Sequence, residues 1–84
     1  MNSAKAFNER LKHLRIQFGV TQKAIAEGIG VAPVSLQRFE YGTVKPKLDT
    51  VVRLADYFNV STDYLLGRTD VPEVNRKPLD AKGA

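Results

Sequence analysis

The sequence predicts an all-α fold, because apolar residues recur at helical spacing in successive segments and no segment alternates as a strand would. Glycine, asparagine and proline separate these segments where helices commonly end or begin. At 84 residues the chain is long enough for one hydrophobic core. A single small helical domain is therefore expected.

The first predicted helix begins near Ser3 and ends at Gly19. Its apolar residues recur at spacings of four, three and four, and they are Phe7, Leu11, Leu14 and Phe18. Such a stripe lies on one face of a helix and is typical of a side packed against a core. We therefore expect these four side chains to be buried.

The segment from Thr21 to Gly42 predicts two short helices joined by a tight turn. Thr21 is a preferred N-cap residue, and Gly30 accepts the left-handed conformation that ends a helix. Pro33 suits the first position of the second helix, since its missing N–H is not needed there. Helices joined this closely cross steeply, and the second projects its outer face.

The outer face of this second helix carries Val34, Ser35, Gln37 and Arg38, while Leu36 and Phe39 point inward. In DNA-binding proteins such a helix enters the major groove. An ordinary helix pair inside a small bundle would give the same local signals, so both interpretations stay open on this segment alone.

The fourth predicted helix follows the loop at 43–47 and ends at Asn59, which can adopt the left-handed cap. Its apolar residues at helical period are Leu48, Val51, Ala55 and Phe58. Ser61 is an N-cap residue for a short last helix, which Tyr64, Leu65 and Leu66 close.

Residues 68–84 contain two prolines and almost no large apolar side chain. The predicted organisation is therefore a helical domain at 1–67 followed by a disordered tail at 68–84. Docking of this tail on a protein partner or on a second copy of the chain is the alternative.

The net charge of +4 is unevenly distributed along the chain. Eight cations and three acids lie between residues 5 and 47, whereas one cation and three acids lie between residues 49 and 67. The positive half contains the two helices joined by the tight turn, which favours a polyanionic partner over an ordinary solvated surface.

Several classes of function are disfavoured. The chain has no cysteine and a single histidine, His13, so it lacks the ligands of a zinc site. It has no glycine-rich phosphate loop after a strand and no apolar run of membrane-spanning length. We therefore expect a soluble cytoplasmic protein that is not an enzyme and binds no metal or cofactor.

The chain resembles the Cro and lambda-repressor type of helix-turn-helix regulators, the XRE family. The matching segments are RLKHLRIQFGVTQ at 10–22, AIAEGIGV at 24–31, SLQRFEYG at 35–42 and KPKLDTVVRLADYFNVSTDYLLG at 45–67. The resemblance implies a five-helix lambda-repressor-like domain. It further implies a homodimer that reads a pseudo-palindromic operator in double-stranded DNA through the helix at 33–41.

The resemblance also implies roles for individual positions. Candidate contacts to bases are Pro33, Val34, Ser35, Gln37 and Arg38, and candidate contacts to phosphates are Gln22, Lys23, Lys45 and Lys47. Arg38 can bond guanine bidentately or clamp a phosphate, and both readings stay open. Arg15 and Glu40 match a structural ion pair. The expected dimer interface includes Phe58, Asn59 and Val60.

Three residues depart from the family pattern. Ala32 stands where relatives often have the N-cap Ser or Thr, and Pro33 stands where many have Gln. Ala24 replaces a frequent Glu, which removes half of a capping box. Base specificity therefore cannot be transferred from a relative.

The sequence thus favours a sequence-specific transcription regulator, most simply a dimeric repressor. An antitoxin or a coactivator module built on the same fold is the alternative, in which case residues 68–84 would be a natural contact for a protein partner.

Overall fold

The computed structural model describes residues 6–74, which form five α-helices and no strand. The helices are α1 (Phe7–Phe18), α2 (Gln22–Ile29), α3 (Pro33–Tyr41), α4 (Leu48–Phe58) and α5 (Thr62–Leu65). The predicted all-α, five-helix fold is confirmed. Helix α1 begins at Phe7, because Ala6 has extended backbone angles. Ser3, where the sequence placed its start, lies outside the described residues.

Side-chain caps begin α2 and α5, and a left-handed residue ends α4, as the sequence predicts. The Thr21 Oγ1 atom accepts a hydrogen bond from the Ala24 N–H at 3.0 Å, and the Ser61 Oγ atom accepts one from the Tyr64 N–H at 2.9 Å. Asn59 ends α4 with a φ angle of 56°, which asparagine tolerates better than most residues. Each cap satisfies backbone groups that a helix end leaves unpaired.

The core lies where α2 packs against α3 and α4, and where α1 packs against α3 and α5. Leu11, Leu36, Leu54 and Leu65 come from four different helices and are fully buried. Burial of one such side chain stabilises the fold by about 1.5 to 3 kcal/mol. These contacts hold short helices that would be marginal on their own.

Two residues of the predicted apolar stripes, Phe18 and Leu48, are exposed, and burial was expected for Phe18. Leu48 is 77% exposed and Phe18 is 49% exposed. Leu48 is the first residue of α4 and Phe18 is the last of α1. The apolar stripe of each helix therefore extends past the elements against which the helix packs. Phe18 still meets Phe58 edge to face, with ring centroids 5.1 Å apart.

Residues 68–74 contact the helical domain. The Arg10 Nη2 atom lies 3.0 Å from the Asp70 Oδ1 atom, and the Ser61 N–H donates to the Pro72 carbonyl at 3.0 Å. The expectation of a disordered tail from residue 68 placed Asp70 and Pro72 outside the fold, whereas both make these contacts. The rest of that expectation, at 75–84, falls on residues that the structure does not describe.

Arg10 is a buried cation that the sequence did not single out. Its guanidinium lies 4.0 Å from the centroid of the Tyr64 ring, a cation–π contact. Burial lowers the pKa of the Arg10 guanidinium, whereas its contacts with Asp70 and Tyr64 raise it, and the pKa ends above the ordinary value for arginine. Arg10 thus stays charged and keeps residue 70 close to α1.

Replacing Asp70 by asparagine is expected to lower the free energy of unfolding by about 0.5 to 1 kcal/mol. The loss is small because the Asp70 side chain is 74% exposed and water screens the pair. Urea unfolding followed by helical circular dichroism measures it. The control is Glu73→Gln, an exposed change in the same segment that breaks no ion pair within residues 6–74. Equal effects from both variants would contradict a specific Arg10–Asp70 contact.

Candidate nucleic-acid interface

Helix α3 presents one exposed stripe along its outer side. Val34, Gln37, Arg38 and Tyr41 follow the spacing of a single helix face, and all four are exposed. The opposite side is buried through Leu36 and Phe39. Because these two apolar side chains fix the rotation of the helix about its axis, they also fix which residues face outward.

The candidate base contacts divide into two groups. Pro33, Val34, Gln37 and Arg38 are exposed, whereas Ser35 is half-buried at the side of the stripe. Arg38 forms no ion pair within residues 6–74, so all five N–H donors of its guanidinium are available to a ligand. The outer face can therefore offer a charged donor, an amide and an apolar contact side by side.

Tyr41 extends this stripe by one further turn and was not among the predicted contacts. Its side chain is 72% exposed at the end of α3. A tyrosine there presents a ring and a hydroxyl group that can donate or accept a hydrogen bond. Its position seven residues after Val34 was a signal in the sequence that could have identified it.

The start of α3 has no side-chain cap. Ala32 occupies the N-cap position and makes no side-chain hydrogen bond, while Pro33 is the first helical residue. Both features follow from the two departures noted in the sequence. The backbone compensates in part, since the Ser35 N–H donates to the Ala32 carbonyl at 2.9 Å.

Glu40 joins the first three helices through both of its carboxylate oxygens. The Oε2 atom accepts from the Arg15 Nε atom at 2.7 Å, and the Oε1 atom accepts from the Gln22 Nε2 atom at 3.1 Å. The Glu40 side chain is only 4% exposed, and that of Arg15 is 23% exposed. The structure thus places Arg15 and Glu40 in an ion pair. The bond from Gln22 was not anticipated from the sequence.

The candidate phosphate contacts lie on both sides of α3 along the chain. Gln22 and Lys23 form the start of α2, where free backbone N–H groups and the helix dipole favour an anion. Lys45 and Lys47 follow α3 in the loop before α4. All three lysines are exposed, and the Gln22 side chain is half-buried against Glu40.

The candidate dimer residues all line one groove, but they differ in exposure. Phe58 and Val60 are buried in the core of the protomer, and only Asn59 is exposed. Their burial has a plain cause, because the turn between α4 and α5 folds both side chains inward. The exposed apolar side chain beside them is Phe18, at the edge of a groove of about 370 Å³ that Asn59 and Pro72 also line. An interface at this place would therefore use Phe18 and Asn59.

The described part of the chain contains neither a metal-binding cluster nor a membrane-spanning helix. Residues 6–74 contain no group of three His, Cys, Asp or Glu side chains that could hold a metal ion. His13 is exposed on α1. None of the five helices is long and apolar enough to cross a bilayer.

The chain is similar to known proteins over most of its length. A family model described as helix-turn-helix matches residues 11–65. Two relatives come from Bacillus subtilis strain 168: the HTH-type transcriptional regulator ImmR, 38% identical over 74 residues, and the uncharacterized HTH-type transcriptional regulator YobD, 44% identical over 73 residues. These alignments cover 88% and 84% of this chain, but only 58% and 65% of the two relatives.

A solved structure shares the fold. The P22 c2 repressor, crystallised with a synthetic operator, superposes with a TM-score of 0.71 at 26% identity. The match covers 74% of this chain and 94% of that chain.

Replacing Arg15 by methionine is expected to lower the free energy of unfolding by about 3 kcal/mol, because the buried Glu40 carboxylate loses its cationic partner. The loss lies at the low end for a buried pair since the Arg15 side chain is 23% exposed. Urea unfolding measures the loss. Lys12→Met is the control, since Lys12 is exposed on the same helix and forms no ion pair within residues 6–74. Removal of both charges in Arg15→Met with Glu40→Met should restore part of the stability. A loss no larger than that of Lys12→Met would show that the pair is not important for folding.

Proposed function

We propose that this chain, which belongs to the helix-turn-helix family, is a sequence-specific DNA-binding regulator of transcription and acts as a repressor. The observation that carries the proposal is the exposed stripe of α3, which places Arg38 and Gln37 outward while Leu36 anchors the helix. The relatives named as transcriptional regulators and the operator held by the P22 c2 repressor support it. The proposal includes no catalytic role and places the protein in the cytoplasm.

In this mechanism α3 lies in the major groove, which is wide enough to admit one helix. Arg38 donates two hydrogen bonds to the O6 and N7 atoms of a guanine, and Gln37 can pair with an adenine. Val34 has no hydrogen-bonding group, so it reads only the methyl group of a thymine. The pattern of donors and apolar groups along α3 then selects the sequence.

Phosphate contacts position the domain without reading sequence. Lys23, Lys45 and Lys47 are exposed cations before and after α3, and the start of α2 offers backbone N–H groups. Each phosphate that a cation neutralises releases counterions, so affinity falls as salt rises. The affinity of the complex therefore depends strongly on these lysines, and its specificity depends on α3.

A homodimer would place two copies of α3 about 34 Å apart, on half-sites one helical turn apart. One recognition helix reads only a few base pairs, so a second copy multiplies the discrimination between sites. We propose the surface around Phe18 and Asn59 for this contact, since Phe18 is an exposed aromatic side chain beside a groove. Occupancy of the operator then blocks access of the polymerase to the promoter.

The test is an in vitro selection from random duplex DNA with the purified protein. The affinity of the enriched duplex is compared with that of a scrambled duplex at two salt concentrations. The expected result is an inverted repeat whose advantage persists at the higher salt. If no sequence is enriched and all binding fades with salt, the attraction is only electrostatic and the proposal fails.

Arg38→Ala and Lys45→Ala are expected to act differently on this binding. Loss of Arg38 should cost about 1 to 3 kcal/mol on the selected duplex and little on the scrambled one, because a base contact carries discrimination. Loss of Lys45 should weaken binding to both duplexes and lower the slope of log affinity against log salt by about 1. Fluorescence anisotropy titrations at several salt concentrations measure both. Equal losses on all sequences would remove the base-reading role of Arg38.

A further inference from the structure

We infer that Glu40 is a positioning residue for DNA binding: it orients the side-chain amide of Gln22 so that an N–H group, and not the carbonyl oxygen, faces a backbone phosphate. This inference rests on the proposed function. It gives the Glu40 carboxylate a second task beyond its ion pair with Arg15.

The geometry holds Glu40 from two sides. Its carboxylate is almost completely buried and accepts from Arg15 on one oxygen at 2.7 Å and from Gln22 on the other at 3.1 Å. The Arg15 contact is the shorter one and joins opposite charges, so it fixes the position of the carboxylate. Gln22 then meets an acceptor whose place is already set.

The chemistry of the amide makes this bond directional. A glutamine amide has two N–H donors and one carbonyl acceptor, whereas an ionised carboxylate only accepts. The amide must therefore turn its nitrogen toward Glu40, which commits one N–H and leaves the second N–H free. A phosphate oxygen also only accepts, so it requires that free N–H. A rotated amide would face the phosphate with its oxygen and be repelled.

Gln22 lies where the orientation of its amide can affect DNA binding. Gln22 is the first residue of α2, where backbone N–H groups already favour an anion, and Glu40 is next to Tyr41 at the end of the exposed stripe of α3. The bond thus joins the phosphate-facing start of α2 to the base-facing helix. Pre-organising one such side chain corresponds to about two- to tenfold in affinity.

The test is a double-mutant cycle on affinity for duplex DNA with the wild type, Glu40→Gln, Gln22→Ala and the double variant. Glutamine at position 40 keeps the shape but can donate as well as accept, so it no longer selects one amide orientation. Glu27→Gln, an exposed change on α2, is the control for the altered charge. Affinities are corrected for the folded fraction measured by circular dichroism.

The direction of the change in DNA affinity distinguishes a positioning role of Glu40 from an effect of charge alone. Glu40→Gln and Glu27→Gln both raise the formal net charge of +4 by one, which by electrostatics alone strengthens DNA binding. The expected result is that Glu40→Gln weakens binding about two- to tenfold, that Glu27→Gln does not, and that Glu40→Gln causes no further loss in the Gln22→Ala background. Equal weakening in both backgrounds would indicate a purely structural role, and tighter binding would indicate electrostatics alone; each overturns the inference.

Measurements on the scrambled duplex distinguish failure of the proposed function from failure of the Glu40 inference, since a phosphate contact does not depend on sequence. An enriched operator without coupling between Glu40 and Gln22 overturns the inference and leaves the proposed function intact. Coupling on the scrambled duplex without any enriched operator supports the inference and overturns the proposed function.

Nuclear magnetic resonance of the wild type tests the inference even if a variant does not fold. The two Gln22 side-chain amide protons are distinct in any glutamine, because rotation about the amide C–N bond is slow. One of them is expected to be shifted by its hydrogen bond to Glu40 and to keep that shift when duplex DNA is added, while the other moves. Ordinary chemical shifts for both protons in the free protein, or movement of both on addition of DNA, would overturn the inference.

Discussion

The burial of Leu36 and Phe39 is the constraint on which the rest of the structure depends. Each buried side chain of this size contributes about 1.5 to 3 kcal/mol, more than an exposed ion pair or hydrogen bond typically supplies. The core therefore decides the rotation of α3, and the surface residues have to function from the face that remains. Because the chain reaches Gly42 only nine residues after Pro33, there is little room for a compensating shift along the helix. A substitution in the outer stripe can therefore change its composition without changing its orientation.

Burial of the Glu40 carboxylate costs free energy of solvation. A carboxylate removed from water loses several kcal/mol of solvation, which its two donors recover only when their geometry is good. An apolar residue in its place could make the domain as stable or more stable. What such a residue could not provide is a common reference point for α1, α2 and α3. The network accordingly favours one relative orientation of these helices over high stability.

Local signals in the sequence predicted where the helices begin and end. They predicted less well which side chains are buried against other helices. Caps such as Thr21 and Asn59 were identified because their backbone and side-chain chemistry acts within a few residues. Periodicity grouped Leu48 with the buried Val51, Ala55 and Phe58, but it carries no information about where a neighbouring helix ends. Phe58 was assigned to a dimer interface from the family resemblance, which carries no information about burial within this protomer. The contact of Arg10 with Asp70 spans 60 residues and has no local signature at all.

That long-range contact bears on how the domain is made. During synthesis α1 emerges from the ribosome long before residue 70, and at about 5 to 20 residues per second the interval is roughly 3 to 12 s. Arg10 has no carboxylate from Asp70 for the whole of this time and no ring from Tyr64 for most of it. A guanidinium resists burial until such partners arrive. Burial of Arg10 between both partners is therefore a step that cannot precede the synthesis of residue 70.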